Sequence, residues 1–167
     1  MTETNHPGGL RPVVAIVDDD ADMGALVSAE LEEAGFERVY YPGGAQCLEA
    51  IRTRVFDAVI LDMSMPDMDG KETLTRIRQQ NPFIPVVMLT ADSSVQSVVE
   101  AMRAGASDYL VKPPVGERLA AVLREVISRS AGSAHVRADG IPAPADPFEG
   151  LTGRSAALQR GFQMMVR

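Results

Sequence analysis

Cysteine and aromatic residues are scarce in this sequence: its 167 residues include one cysteine, no tryptophan, three tyrosines and five phenylalanines. The single thiol, Cys47, excludes an internal disulfide, which is typical of proteins from a reducing compartment. No apolar run approaches the ~20 residues of a membrane-spanning helix. The first 11 residues also lack the apolar core of a signal peptide. We therefore expect a cytoplasmic protein without a membrane partner.

The sequence also lacks an excess of positive charge and a phosphate-binding loop. The formal net charge is −7, which argues against direct binding of nucleic acid by this chain. The pattern G-x-x-x-x-G-K followed by Ser or Thr does not occur, so the chain cannot handle ATP by that route. His6 and His135 lie outside the predicted strands and helices, and we expect no metal site shared by them.

What the sequence does contain is a buried strand that ends in three acids. Residues 13–17 are small and apolar without interruption, and Asp18, Asp19 and Asp20 follow directly. A continuous apolar run is typical of a strand that is buried on both faces of a parallel sheet. Ionised carboxylates cannot remain in that core, so the strand must reach the surface at Asp18. In open α/β sheets, ligands bind at this carboxyl edge.

Three other predicted strands end in polar residues of different chemistry. Asp62, Thr90 and Lys112 each follow a short apolar run. Strands are predicted at 13–17, 36–41, 58–61, 84–89 and 108–111, and helices at about 22–34, 45–53, 71–80, 94–104 and 115–129. Five strands that alternate with five helices predict an α/β fold with a doubly wound parallel sheet.

The fourth predicted helix carries one apolar stripe. Four apolar residues recur at the i, i+3, i+4, i+7 spacing of a helix face: Val95, Val98, Val99 and Met102. We expect these four side chains to be buried in the core. Gly35 and Gly105 follow the first and fourth helices, and we predict that each glycine ends its helix.

Four motifs together carry a resemblance to a known family. They are VDDD at 17–20, LDMSMPDMDG at 61–70, LTAD at 89–92 and DYLVKPP at 108–114. In this combination and spacing, roughly residues 12–130 resemble the receiver domain of two-component response regulators. The resemblance implies a flavodoxin-like (βα)5 fold with strand order 2-1-3-4-5.

Three acids at one edge of the sheet need a counter-charge. If Asp18, Asp19 and Asp62 lie roughly 5 Å apart, each like-charge pair costs about 3 kcal/mol at an effective dielectric constant of about 20. A hard divalent cation with oxygen ligands meets that need, and Mg²⁺ combines one or two carboxylates with water and phosphate oxygens. The resemblance implies Mg²⁺ held by Asp19, Asp62 and the backbone carbonyl of Ser64, with Asp18 acting mainly through a water molecule.

The resemblance assigns the role of phosphoacceptor to Asp62. A carboxylate can attack a phosphoryl group and form an aspartyl phosphate, and phosphoryl transfer depends mostly on positioning and charge neutralisation. Lys112 and Thr90 would each cover one phosphoryl oxygen. Thr90 and Tyr109 also match the family's switch pair, in which the aromatic side chain fills the space that the threonine vacates. The Lys112–Pro113 peptide bond is usually cis in this family.

The implied function is a phosphorylation-dependent regulatory switch rather than a metabolic enzyme. Its partner is a cognate histidine kinase, and its own chemistry is limited to self-phosphorylation and self-dephosphorylation. The family's usual dimer contact, formed by helix 4, strand 5 and helix 5, predicts a homodimer.

Two alternative functions stay open at this point. One is a pseudo-receiver, which is not phosphorylated and only docks partners. The other is a phosphohydrolase of the haloacid-dehalogenase type, which requires D-x-D-x followed by Thr or Val. The string that starts at Asp18 places Asp22 where Thr or Val is needed, which disfavours the phosphohydrolase.

The chain divides into four predicted parts. Residues 1–11 form a flexible N-terminus, 12–130 the receiver domain, and 131–147 a linker rich in Pro, Gly and Ala. Residues 148–167 resemble the start of the AAA+ ATPase domain in sigma-54-dependent activators, and an ordinary C-terminal helix is the alternative. This arrangement predicts the N-terminal part of a longer, nitrogen-regulatory-like transcriptional activator.

Overall fold

The computed structural model describes residues 10–114 and 116–138, in which five strands alternate with five helices. The strands are β1 (Val13–Val17), β2 (Glu37–Tyr41), β3 (Ala58–Asp62), β4 (Val86–Thr90) and β5 (Asp108–Val111). The helices are α1 (Ala21–Glu33), α2 (Gly44–Thr53), α3 (Gly70–Gln80), α4 (Val95–Arg103) and α5 (Glu117–Ala138). None of these described helices is long and apolar enough to cross a membrane.

The five strands form one parallel sheet in the order β2-β1-β3-β4-β5. This confirms the predicted fold class and strand order. Each face of the sheet carries its own core. One core combines the sheet with Val27 and Leu31 of α1 and with Leu119 and Leu123 of α5. The other core packs α2, α3 and α4 against the opposite face, with Leu74 as one of its fully buried residues.

Local chemistry explains where several helices begin and end. Asp20, Asp69 and Ser94 are the N-cap residues of α1, α3 and α4, and each side chain accepts a backbone N–H of the first turn. Gly35 and Gly105 have φ angles of 90° and 106°, in the left-handed region that lets a chain leave a helix without a Cβ clash. The prediction that these two glycines end α1 and α4 is confirmed.

The prediction that the apolar stripe of α4 is buried is wrong. Val95, Val99 and Met102 are 79%, 39% and 45% exposed and Val98 is half-buried, whereas the buried residue of α4 is Ala101. Helical periodicity shows that apolar residues share a face, but it does not show which face meets the sheet. Here α4 meets the core through the small side chain of Ala101, so three of the four larger residues remain at the surface.

The fifth helix is longer than its prediction and occupies part of the predicted linker. It begins at Glu117 and continues to Ala138, whereas the sequence predicted residues 115–129. Residues 131–138 are rich in alanine and contain no proline, and one interior glycine costs a helix only about 1 kcal/mol. The rest of that linker (139–147), the predicted ATPase start at 148–167, residues 1–9 and residue 115 lie outside the described residues.

Candidate functional site

The carboxyl edge of the sheet brings three predicted acids together. Asp18 follows β1, Asp62 is the last residue of β3, and the two strands are direct neighbours with Val17 opposite Leu61. One carboxylate oxygen from each of Asp18, Asp19 and Asp62 lies within 4.8 Å of the others. Asp18 and Asp62 are 0% and 3% exposed, whereas Asp19 is exposed to solvent. The expectation that the chain reaches the surface at Asp18 is therefore wrong: Asp18 stays buried beside Lys112, and Asp19 is the first residue on the solvent side.

Lys112 reaches the two buried acids from the end of β5. Its Nζ lies 2.9 Å from Asp18 Oδ2 and 2.9 Å from Asp62 Oδ1. The lysine side chain is 16% exposed, so this contact is largely shielded from water. The Lys112–Pro113 peptide bond is cis, as the resemblance implied. One ammonium group therefore faces two buried carboxylates, and the negative charge of the cluster is only partly neutralised.

Burial and mutual repulsion shift the acid–base behaviour of this cluster. The pKa of Asp62 is raised to about 6, first by burial and then by the charge of Asp18, although hydrogen bonds from Lys112 and from the Ser64 amide act in the opposite direction. Burial by itself lowers the pKa of Lys112, but its close contacts with the carboxylates of Asp62 and Asp18 raise it overall. The lysine therefore stays charged at neutral pH. Ionisation of Asp62, by contrast, destabilises the folded state.

This electrostatic strain predicts a specific pH dependence. The folded-state pKa of about 6 for Asp62 exceeds its ordinary value of 3.8. Between these two pH values the folded chain binds more protons than the unfolded chain, so the folded state loses stability as pH rises through this range. A shift of about two units corresponds to roughly 3 kcal/mol. The stability of Asp62→Asn relative to the parent should therefore increase by roughly that amount between about pH 4 and about pH 7. Urea unfolding in EDTA measures this difference, and a pH-independent difference would contradict the raised pKa.

The oxygen atoms of the cluster suit a hard divalent cation. Asp18 Oδ2 is buried and, within the described part of the chain, accepts no hydrogen bond of good geometry, although the Lys112 ammonium is close. Asp18 Oδ1 accepts the Asp20 amide at 2.9 Å, and Asp62 Oδ1 accepts the Ser64 amide at 3.2 Å. These bonds orient the carboxylates and leave lone pairs for a ligand. Carboxylates arranged in this way fit Mg²⁺, whereas the Ser64 carbonyl as a ligand stays a prediction.

Thr90 lies at the end of β4 but its hydroxyl is engaged elsewhere. The residue is 3% exposed, and its Oγ1 donates to the Asp92 carbonyl at 3.0 Å and accepts the Asp92 amide at 2.9 Å. Tyr109 is half-buried on the neighbouring strand β5, opposite Met88, and packs against the core on the α4 side. The predicted switch residues thus lie on adjacent strands, with the threonine hydroxyl bonded to the β4–α4 loop.

Sequence reasoning missed Tyr40, which supports the acidic loop from β2. Its hydroxyl donates to the Asp18 carbonyl at 2.6 Å. The tyrosine ring occupies the space beside Gly24, where an added Cβ would collide with it. Burial, followed by the charges of Asp18, Asp19 and Asp20, raises the pKa of Tyr40. No local pattern links an aromatic residue on β2 with a glycine in α1, because the contact exists only after β2 pairs with β1.

The loop after Asp62 returns closely to the strand that carries it. A Cβ at Gly70 would collide with the backbone carbonyl of Asp62, so this position accepts only glycine without a shift of the main chain. Asp69 accepts the Glu72 amide at 2.8 Å and caps α3. Asp69 and Gly70 therefore form the junction between this loop and α3.

This fold and this edge agree with the class of receiver domains that the four motifs indicate. A sequence model of the response regulator receiver domain matches residues 14–124. The chain therefore belongs to the response regulator receiver family, and the resemblance found in the sequence is confirmed.

Individual relatives and solved structures give the same result. The chain is similar to the transcriptional regulatory protein ZraR of Klebsiella oxytoca, with 40% identity over 87% of this chain and 32% of that protein. It is also similar to the DNA-binding transcriptional regulator NtrC of Escherichia coli K12, with 32% identity over 94% of this chain and 33% of that protein. A solved signal receiver domain of a putative LuxO repressor from Vibrio parahaemolyticus matches with a TM-score of 0.71 and 28% identity, over 76% of this chain and 98% of that one. The chain thus spans about a third of the length of these curated relatives.

Proposed function

We propose that Asp62 accepts a phosphoryl group from a phosphohistidine of a cognate histidine kinase. The observation that carries this proposal is the pairing of two buried carboxylates with one lysine, 2.9 Å from each, at the carboxyl edge of the sheet. A carboxylate oxygen of Asp62 attacks the phosphorus, and the P–N bond breaks. The electron pair of that bond stays on the imidazole nitrogen, which takes up a proton. The product is an acyl phosphate on Asp62.

The surrounding residues neutralise charge and hold the phosphoryl group in place. Lys112 already contacts Asp62 and can donate a hydrogen bond to one oxygen of the transferred phosphoryl group. Thr90 can donate its hydroxyl to another oxygen once its hydrogen bond to Asp92 is broken. Mg²⁺, held by Asp19 and Asp62 with the Ser64 carbonyl and with Asp18 through water, would supply the remaining positive charge. The chemistry of the chain is limited to loading and hydrolysis of its own acyl phosphate, so we propose a regulatory switch rather than a metabolic enzyme.

The exposed apolar face of α4 supports a change of oligomeric state as the output. Val95, Val99 and Met102 of α4 and Val111 of β5 are all exposed, and an apolar patch of this kind is typical of an interaction surface. We propose a homodimer through α4, β5 and α5 that forms when phosphorylation moves Thr90 and Tyr109. We also propose a place in the cytoplasm and an attached output domain of the sigma-54-dependent type. Relatives that are named transcriptional regulators support an output domain that acts on transcription.

Sedimentation velocity with beryllium fluoride, a phosphoryl mimic, tests the proposed function. We expect dimers only when beryllium fluoride and Mg²⁺ are both present, and a weaker response in Thr90→Ala and Tyr109→Ala. Met102→Glu places a charge on the apolar α4 face and should keep the loaded chain monomeric. Val55→Glu is the matched control, because Val55 is 87% exposed and lies outside this face. A chain that gains no phosphoryl group from acetyl phosphate with Mg²⁺ would instead favour the docking pseudo-receiver.

A further inference from the structure

The hydroxyl of Thr90 belongs to a hydrogen-bonded chain that leads into α4. Its two partners are the amide and the carbonyl of Asp92. The Asp92 carboxylate accepts the Ser94 amide at 2.8 Å and the Ser94 hydroxyl at 2.9 Å, and it also accepts the Ser97 hydroxyl. These bonds, with Ser97 first, lower the pKa of Asp92. The side chain of Asp92 thus ties the loop that encloses the Thr90 hydroxyl to the first turn of α4.

We propose that Asp92 is a positioning residue that holds Thr90 in its loop-bonded rotamer and couples release of the threonine to movement of α4. The proposal rests on the proposed function of Asp62, because the bound phosphoryl group is what competes for the hydroxyl. A hydroxyl carries one donor hydrogen. Thr90 can therefore donate either to the Asp92 carbonyl or to a phosphoryl oxygen. The stability of its hydrogen bonds to the loop sets the balance between the loop-bonded and the phosphoryl-bonded rotamer.

The position of Asp92 explains why its side chain can set this balance. Ser94 is the N-cap of α4, and a negative charge is favoured beside the free N–H groups of a helix N-terminus. Fixing the carboxylate there also fixes the main chain of Asp92, whose amide and carbonyl bracket the Thr90 hydroxyl. When Thr90 leaves, the loop loses one anchor and the first turn of α4 is free to shift. That turn carries the exposed Val95 at the edge of the apolar face.

Two variants distinguish this positioning role from a general effect of the Asp92 charge and from capping of α4 alone. Asp92→Ala removes all three contacts of the carboxylate, whereas Ser97→Ala removes one contact and keeps the charge. Glu100→Ala is the matched control, since Glu100 is a hydrogen-bonded acid of α4 that contacts Lys71 and Gln96. In the unliganded chain of 167 residues, the γ2-methyl carbon shift of Thr90 should report one rotamer for the parent and the control. We expect rotamer averaging in Asp92→Ala and Ser97→Ala.

Binding of beryllium fluoride with Mg²⁺ supplies the second measurement. Apparent affinity scales with the fraction of chains in the competent state, so both variants should bind the mimic up to about tenfold more tightly. An effect of Asp92→Ala without one of Ser97→Ala would mark a charge effect and overturn the proposal. Faster hydrogen exchange in α4 of Asp92→Ala with an unchanged Thr90 rotamer would show that Asp92 only caps the helix, and this result would also overturn the proposal. If the parent fails to bind the mimic, the proposed function fails, while the rotamer comparison still decides the role of Asp92.

Discussion

Asp62→Asn is expected to abolish phosphorylation of the chain by acetyl phosphate in the presence of Mg²⁺. Asparagine keeps the shape of the side chain but lacks the anionic oxygen that attacks phosphorus. The parent should gain the mass of one phosphoryl group, and hydroxylamine should remove it, because an acyl phosphate reacts with that nucleophile. Intact-mass spectrometry before and after hydroxylamine treatment measures both steps.

A matched acid in the same loop controls for a general loss of charge. Asp67→Asn makes the same substitution at an exposed position outside the acidic cluster, and it should load like the parent. Asp19→Ala removes the acid on the solvent side of the cluster, and we expect it to need far more Mg²⁺ for loading. Full labelling of Asp62→Asn would place the phosphoryl group on another residue and remove the proposed role of Asp62.

Lys112→Met is expected to lower the free energy of unfolding of the metal-free chain by about 3 kcal/mol at neutral pH. Removing one partner of a buried ion pair leaves an uncompensated charge, which typically costs about 3–5 kcal/mol. Here two carboxylates, Asp18 and Asp62, lose the ammonium that lies 2.9 Å from each. Methionine preserves most of the apolar stem, so the loss reports on charge rather than on packing.

A lower pH and added Mg²⁺ should each reduce the destabilisation of the same variant. Without Lys112 the pKa of Asp62 rises above its value of about 6, so protonation relieves the repulsion and the destabilisation shrinks as pH falls. Mg²⁺ binds the folded acids and should restore stability by mass action at neutral pH. Lys71→Met is the matched control, because the Lys71–Glu100 pair is 46% and 41% exposed and exposed pairs contribute little. Equal losses in the two variants, measured by urea unfolding, would contradict the buried-pair interpretation.

The helix α4 shows where periodicity stops being informative. The sequence predicts that Val95, Val98, Val99 and Met102 share one face of this helix. The assignment of this face to the core was wrong, since Val95, Val99 and Met102 are exposed and Val98 is only half-buried. A helix of nine residues whose buried residue is a single alanine can cover the sheet while most of its larger residues face outward. Only the packing of α4 against its neighbours decides between a buried stripe and an interaction surface.

Some features of the site also depend on contacts that no local pattern encodes. The Tyr40 hydroxyl on β2 donates to the Asp18 carbonyl after the neighbouring strand β1. The amide and the carbonyl of Asp92 both bond to the Thr90 hydroxyl. The exposed Asp92 stands two residues after a strand end, where an acid is ordinary loop chemistry. Its role becomes visible only when the partners of each hydrogen bond are known.

The sequence by itself determined the architecture and the chemical groups of the site. Short uninterrupted apolar runs are typical of strands buried on both faces, and the polar residues that end such parallel strands meet at one edge of the sheet. For that reason the order of residues is sufficient to place Asp18, Asp62 and Lys112 at one site. The tertiary structure alone decided how strongly these groups interact and which other residues hold them. Burial, charge separation and hydrogen-bond geometry depend on distances between segments far apart in the chain, and the order of residues does not contain those distances.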